Sequence, residues 1–120
     1  MLFRAEALNE INGPNQEAID LVNRIRERAK VPLLELNDFT KESLRDHFLN
    51  ERKLEFYSES LRREDLIRHG KFIEQAKTQR KNAMPHHILH PIPQLEMDVN
   101  PNLEQNEGYE VIFFFLLFKN

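Results

Sequence analysis

The positions of the prolines divide the chain into a part that can be helical and a part that cannot be one continuous helix. Four of the six prolines lie beyond residue 82, at Pro85, Pro91, Pro93 and Pro101. Proline lacks a backbone N–H and pushes the residue before it towards extended conformations. We therefore expect residues 82–110 to be an extended, proline-rich segment with short turns, ordered only by lying across a helical scaffold.

The first thirty residues carry the pattern of two antiparallel helices. Apolar residues recur at helical spacing at Leu2, Ala5, Leu8 and Ile11, which predicts a helix over 2–12. Asn12-Gly13-Pro14 ends that helix and starts the next, which should run from about 14 to 30. Its apolar stripe is Ala18, Leu21, Val22, Ile25 and Ala29. This αα-hairpin is the unit of tetratricopeptide-like solenoids, although the chain contains no second copy.

The middle of the chain predicts further helices. The expected segments are a loop over 31–39 and helices over 41–57, 62–69 and 72–80. Thr40 is the expected N-cap of the first of these helices, and Gly70 fits the residue after the end of the second. Apolar residues of the 41–57 helix do not share one narrow face, which predicts packing on several sides. They are Leu44, Phe48, Leu49, Leu54 and Phe56. The predicted fold class is therefore mainly α.

Composition excludes several classes of protein. The chain has 120 residues, which suits one modest core, and it has no cysteine, which excludes disulfides, thiolate zinc sites and cysteine nucleophiles. A net charge of −3 gives no argument for nucleic-acid binding.

The run VIFFFLLF at 111–118 is far shorter than the roughly 20 residues that a membrane-spanning helix needs. It predicts either a buried terminal strand or an exposed tail that promotes aggregation.

Two clusters have residue types that can carry chemistry. His86 and His90 have a metal-ligand spacing, but the flanking prolines argue against the helix that this spacing requires, so an ordinary polar loop is the better interpretation. Glu51, Glu55 and Glu59 recur at intervals of four with arginines and lysines nearby. Such alternating charge is typical of an ion-paired helix face, and no nucleophile or matched partner supports acid–base catalysis. The residues thus indicate neither an enzyme nor a cofactor.

Three stretches in order resemble a known family. The first is Arg4-Ala5-Glu6-Ala7-Leu8 with the later Asn23-Arg24-Ile25-Arg26, and the second is NERKLEF at 50–56 with Asp65-Leu66-Ile67-Arg68. The third is HILHPIP at 87–93, followed by NPNL at 100–103, Gln105-Asn106 and Gly108-Tyr109. Together they are similar to the C-terminal part of the SusD/RagB family of outer-membrane nutrient-binding lipoproteins. The resemblance covers residues 1–110 and leaves the apolar tail, 111–120, outside.

The resemblance implies a fold and a function. It implies the closing part of a helical protein that binds a glycan or another nutrient at the outer membrane and works with a SusC-like, TonB-dependent transporter. The family's signal segment and lipidated cysteine are not seen here, which predicts a fragment or a truncated copy. No ligand-binding residue is carried over. The motif residues expected to hold helices together are Arg4, Glu51, Arg52, Glu55, Asp65 and Arg68.

The sequence departs from the family pattern at three positions, and two other functions are also open. The family usually has glycine where Ser60 stands, tryptophan where Arg63 stands and proline where Glu107 stands. A non-glycine residue at position 60 predicts local backbone strain. The alternative functions are a stand-alone helical protein–protein interaction module and a truncated copy without independent function.

Overall fold

The computed structural model describes residues 1–109, and within that range the fold is helical with no β-strand. The elements in chain order are α1 (Leu2–Asn12), α2 (Gln16–Ala29), a 3-10 helix (Leu36–Asp38), α3 (Lys41–Glu55), α4 (Arg62–Arg68), α5 (Phe72–Thr78), a 3-10 helix (Pro85–Ile88) and α6 (Gln94–Val99). The mainly α prediction is confirmed. The predicted apolar tail, 111–120, lies outside the described residues.

The chain divides into two compact units, and the first, Met1–Asp65, contains the αα-hairpin and α3. Its core is made by apolar side chains of α1, α2 and α3 that bury one face of each helix against the others. The buried cluster is Leu2, Ala5, Ala18, Ile19, Val22, Leu44 and Phe48. Three expectations about the faces of α1 and α2 were wrong. Ile11 and Ala29 are exposed, Ile11 by 77 %, and Ile19, which lies outside the predicted stripe of α2, is fully buried.

Local sequence signals set the helix ends in this unit. The Thr40 side chain accepts from the backbone N–H of Ser43, while the Ser43 hydroxyl accepts from the backbone N–H of Thr40, a reciprocal pair that satisfies two otherwise unpaired donors. The predicted N-cap at Thr40 is thus confirmed. The second helix begins slightly later than expected, because Asn15 caps it by accepting from Ala18 N at 3.0 Å.

The turn after α3 contains two non-glycine residues in the left-handed conformation. Ser58 has φ 70° and Ser60 has φ 61°, so the strain expected at Ser60 is confirmed. The left-handed region costs a residue with a Cβ atom roughly 1–2 kcal/mol. Glycine adopts it without that cost, which agrees with the glycine that the resemblance leads us to expect at position 60.

Ser60→Gly is therefore expected to raise the free energy of unfolding by about 1 kcal/mol. This figure is the strain that the substitution relieves, less the cost of ordering glycine, which has more conformational freedom in the unfolded chain. Urea unfolding followed by circular dichroism measures this difference. The control is Glu59→Gly, at a neighbouring exposed residue without positive φ, which should lower stability. A lower unfolding midpoint for Ser60→Gly would contradict the strain argument.

The second unit begins at Leu66 and is described here through residue 109. Gly70 has φ 68°, with Gly70 N bonded to Ile67 O and Lys71 N bonded to Leu66 O, so it ends α4 as predicted. Residues 82–109, which we call the strap, are not extended throughout as expected. The 3-10 helix at Pro85–Ile88 packs against α5, and α6 begins directly after Pro93. Proline disrupts a helix interior but suits a helix start, so these prolines initiate short helices.

Candidate functional site

Ion pairs between helices account for three of the charged residues that the motif predicted. Arg4 of α1 pairs with Glu17 of α2, and both side chains are more than half exposed. Glu51 of α3 accepts from Arg26 of α2, and its side chain is only 9 % exposed. Glu55 also accepts from α2, with both carboxylate oxygens 2.6 Å from Arg28 Nη2. Each of these pairs joins two different helices.

Arg52 and Asp65 form the buried pair of this unit. Arg52 Nε donates to Asp65 Oδ2 at 2.8 Å, with side-chain exposures of 1 % and 6 %. The Arg52 guanidinium lies 3.9 Å from the centroid of the Phe3 ring and 5.1 Å from that of Phe56. Its Nη1 is buried and has no hydrogen-bond partner among residues 1–109. The arginine is thus held by one carboxylate and by the faces of two aromatic rings.

Two further arginines, Arg62 and Arg68, are the first and last residues of α4. Arg62 Nη1 donates to Leu49 O at 2.7 Å, which attaches the start of α4 to α3. Burial lowers the pKa of Arg62, while the charge of Asp65 acts in the opposite direction. The predicted residue Arg68 lies in the last turn of α4 with an exposed side chain.

Several contributors to this network were missed by sequence reasoning. Arg45 of α3 forms a two-pronged pair with Glu10 of α1, including Nε to Oε1 at 2.5 Å, and this hydrogen bond raises the pKa of Arg45. His47 Nε2 lies 3.1 Å from Glu51 Oε1. Asn23 fixes the loop after α2, because its side chain both donates to and accepts from the backbone of Leu34. Only the NRIR match hinted at Asn23.

The third motif holds the strap together through side-chain amides. The Gln105 side chain accepts from Ile92 N at 2.8 Å and donates to Ile92 O at 2.9 Å, as a neighbouring strand would. Asn106 Nδ2 donates to His90 O at 2.7 Å. Tyr109 Oη donates to Leu89 O at 2.9 Å. The Gln105-Asn106 and Gly108-Tyr109 parts of the motif therefore fasten residues 105–109 along the HILHPIP stretch.

A ring cluster lies at one end of this fastening. The His86 and His87 ring centroids are 4.2 Å apart, and the Tyr109 ring stands edge-on to His86 at 4.8 Å. His87 Nδ1 accepts from Met84 N at 2.8 Å and caps the 3-10 helix. Gly108 has φ 89°, and a Cβ atom there would lie 2.5 Å from His86 Cγ. Glycine is therefore required at this position both for its conformation and for the space that the imidazole occupies.

A groove of about 430 Å³ opens beside the ring cluster. It is lined by Pro85, His86, Ile88, Leu89, Glu107 and Gly108. Within residues 1–109, no three His, Asp or Glu side chains come together in a way that could hold a metal ion. In the same range, no helix has the length and apolar character that crossing a membrane requires.

Comparison with known proteins identifies the family. The sequence model of the SusD family matches residues 1–109. Two SusD-like proteins of Formosa agariphila are 38 % and 36 % identical over 91 % and 90 % of the chain, and the starch-binding protein SusD of Bacteroides thetaiotaomicron is 30 % identical over 91 %. The chain spans only 23 %, 23 % and 20 % of these relatives' lengths. No solved structure matches. On the family match and these relatives, the chain belongs to the SusD family.

Proposed function

We propose that this chain is part of a glycan-binding protein of the outer membrane that delivers its ligand to a SusC-like, TonB-dependent transporter. The observation that carries the proposal is the family match over residues 1–109, together with a relative that is named as a starch-binding protein. The family resemblance supplies the transporter, the membrane location and the nutrient-uptake role. The chain spans less than a quarter of the length of these relatives, which supports the proposal that it is a portion of such a protein.

The side chains support binding rather than catalysis. A pair of carboxylates performs acid–base chemistry when the two groups face a reacting centre with different proton occupancy. Here Glu51 and Glu55 face arginines of α2 instead, and each ion pair links two helices. On this basis the proposal gives a structural role to Arg4, Glu51, Arg52, Glu55 and Asp65, and we expect the buried Arg52–Asp65 pair to have the largest effect. Arg68, which lies in the last turn of α4 with an exposed side chain, is included through the family resemblance alone. No cofactor is required for this role.

Native electrophoresis in gels that contain a polysaccharide tests glycan binding directly. We expect the protein to migrate more slowly in at least one gel of a set that contains starch, mannan, xylan or pectin. A protein without glycan affinity, run in the same gels, controls for viscosity. Unchanged migration in all four gels would count against the proposed function.

Co-purification tests the transporter partnership. The gene for a TonB-dependent transporter next to this protein's gene would be co-expressed with it, and the complex extracted in mild detergent through a tag on the transporter. We expect the two proteins to elute together during size exclusion. Recovery of the transporter alone would leave glycan binding in place and remove the proposed partner. Recovery of a different, soluble protein partner without the transporter would favour the stand-alone interaction module.

A further inference from the structure

The groove beside the ring cluster has the volume and the partly apolar lining of a small-ligand site. Its volume of about 430 Å³ falls within the range of roughly 300–1,000 Å³ that is usual for ligand pockets. The apolar part of its lining is exposed to solvent: Ile88 is 44 % exposed and Leu89 is 52 % exposed. Such walls suit the C–H face of a sugar ring, which gains by leaving water.

The groove is also fixed in shape before any ligand arrives. Tyr109 fastens the backbone of Leu89, and Asn106 fastens that of His90, so both sides of the groove belong to one hydrogen-bonded unit. A Cβ atom at position 108 would lie 2.5 Å from His86 Cγ, so glycine at this position leaves the imidazole ring its space. A preformed site avoids the cost of ordering loops during binding.

Two polar groups of the groove form no hydrogen bond with the part of the chain that the structure describes. Among residues 1–109, the Glu107 carboxylate has no hydrogen-bond or ion-pair partner, and the His86 imidazole contacts other rings without a hydrogen bond from its nitrogens. A carboxylate presents two acceptor oxygens to hydroxyl donors, and such charge-assisted bonds are among the stronger ones. An apolar wall beside a few open polar groups is the usual composition of a ligand site.

The charges around the groove select the class of ligand. The strap contains Glu96, Asp98, Glu104 and Glu107, and it contains no Lys or Arg. An anionic sugar placed beside Glu107 would meet a like charge with no cation in the strap to offset it. A neutral sugar carries no such penalty, and its hydroxyls can donate to the carboxylate.

We propose that the groove formed by Pro85–Leu89 and Glu107–Gly108 is a binding subsite for one sugar unit of a neutral, hydroxyl-rich glycan, with Glu107 as its main hydrogen-bond acceptor. The inference rests on the proposed glycan-binding function and names a site and ligand class for it.

Isothermal titration with four oligosaccharides tests the subsite. The neutral probes are maltoheptaose, mannohexaose and xylohexaose, and the anionic probe is hexagalacturonate. We expect at least one neutral probe to bind and hexagalacturonate not to bind. Glu107→Ala and Leu89→Ser should each weaken the neutral interaction about tenfold, which is the effect of losing one good contact of about 1.4 kcal/mol. Glu104→Ala, which removes an exposed strap carboxylate outside the groove lining, should leave affinity unchanged.

The outcomes separate this inference from the function on which it rests. Neutral binding that both groove variants leave intact would place the glycan site elsewhere and overturn only the subsite. Tighter binding of hexagalacturonate than of every neutral probe would overturn the ligand class. Absence of binding for all four probes would count against both the subsite and the proposed function. Equal thermal stability of the variants and the wild type confirms that any loss is local. A wild-type dimer that Leu89→Ser converts to a monomer, without loss of glycan affinity, would assign the groove to a second copy.

Discussion

Asp65→Ala is expected to lower the free energy of unfolding by about 3–5 kcal/mol, because it leaves the Arg52 charge buried without its carboxylate. The Arg52 side chain is 1 % exposed, so bulk water solvates its charge poorly once the carboxylate is lost. The rings of Phe3 and Phe56 attract the guanidinium but do not accept its N–H bonds as a carboxylate does. Urea unfolding followed by far-ultraviolet circular dichroism measures the change.

Two controls separate burial from charge loss in general. Glu17→Ala removes a carboxylate from the exposed Arg4 pair, and an exposed pair contributes about 1 kcal/mol or less. The double variant Arg52→Met with Asp65→Leu removes both charges and should be more stable than Asp65→Ala alone, because no uncompensated charge remains. If Asp65→Ala and Glu17→Ala destabilise equally, the buried pair does not have the structural role proposed for it.

The sequence predicted best those features that depend on a few neighbouring residues. Thr40 was identified as an N-cap and Gly70 as a helix-ending residue from residue type and position, and both have these roles. The two roles involve hydrogen bonds or dihedral angles within a few residues, so local sequence contains the information that determines them. The strain at Ser60 is different, because the family resemblance implied it, and it is present as φ 61°.

Features that depend on distant partners were not predictable in the same way. Periodicity did not identify Ile19 as fully buried or Ile11 as exposed, because the packing of α1 and α3 decides which face of each helix is covered. Sequence reasoning does not predict the short helix α6, because the prolines around it favour extended structure in the residues that precede them. Pro93 instead lies at its start, where its missing N–H costs nothing.

In the candidate site, too, contacts between distant residues could not be predicted from the sequence. Motif similarity predicted that Gln105, Asn106 and Tyr109 matter, but it gave no indication that they fasten the backbone of residues 89–92. The groove exists because two segments about twenty residues apart meet where Gly108 contacts His86. Such a meeting is a property of the folded strap and has no local signature.

Phe48→Ala is expected to lower the free energy of unfolding by about 3–5 kcal/mol, through lost burial and the cavity that a deleted ring leaves. Phe48 is fully buried and belongs to one cluster with apolar side chains of α1 and α2, so its ring contributes the burial of a full core side chain. The matched control is Leu54→Ala on the same helix. The sequence grouped Leu54 with Phe48 as a packing residue, yet Leu54 is 71 % exposed, so its truncation should change stability by no more than about 0.5 kcal/mol. Thermal and urea unfolding of the two variants decide between the predicted many-sided packing of α3 and the one-sided core described here. Equal losses in both variants would show that Leu54 is covered in solution and that α3 packs on more than one side.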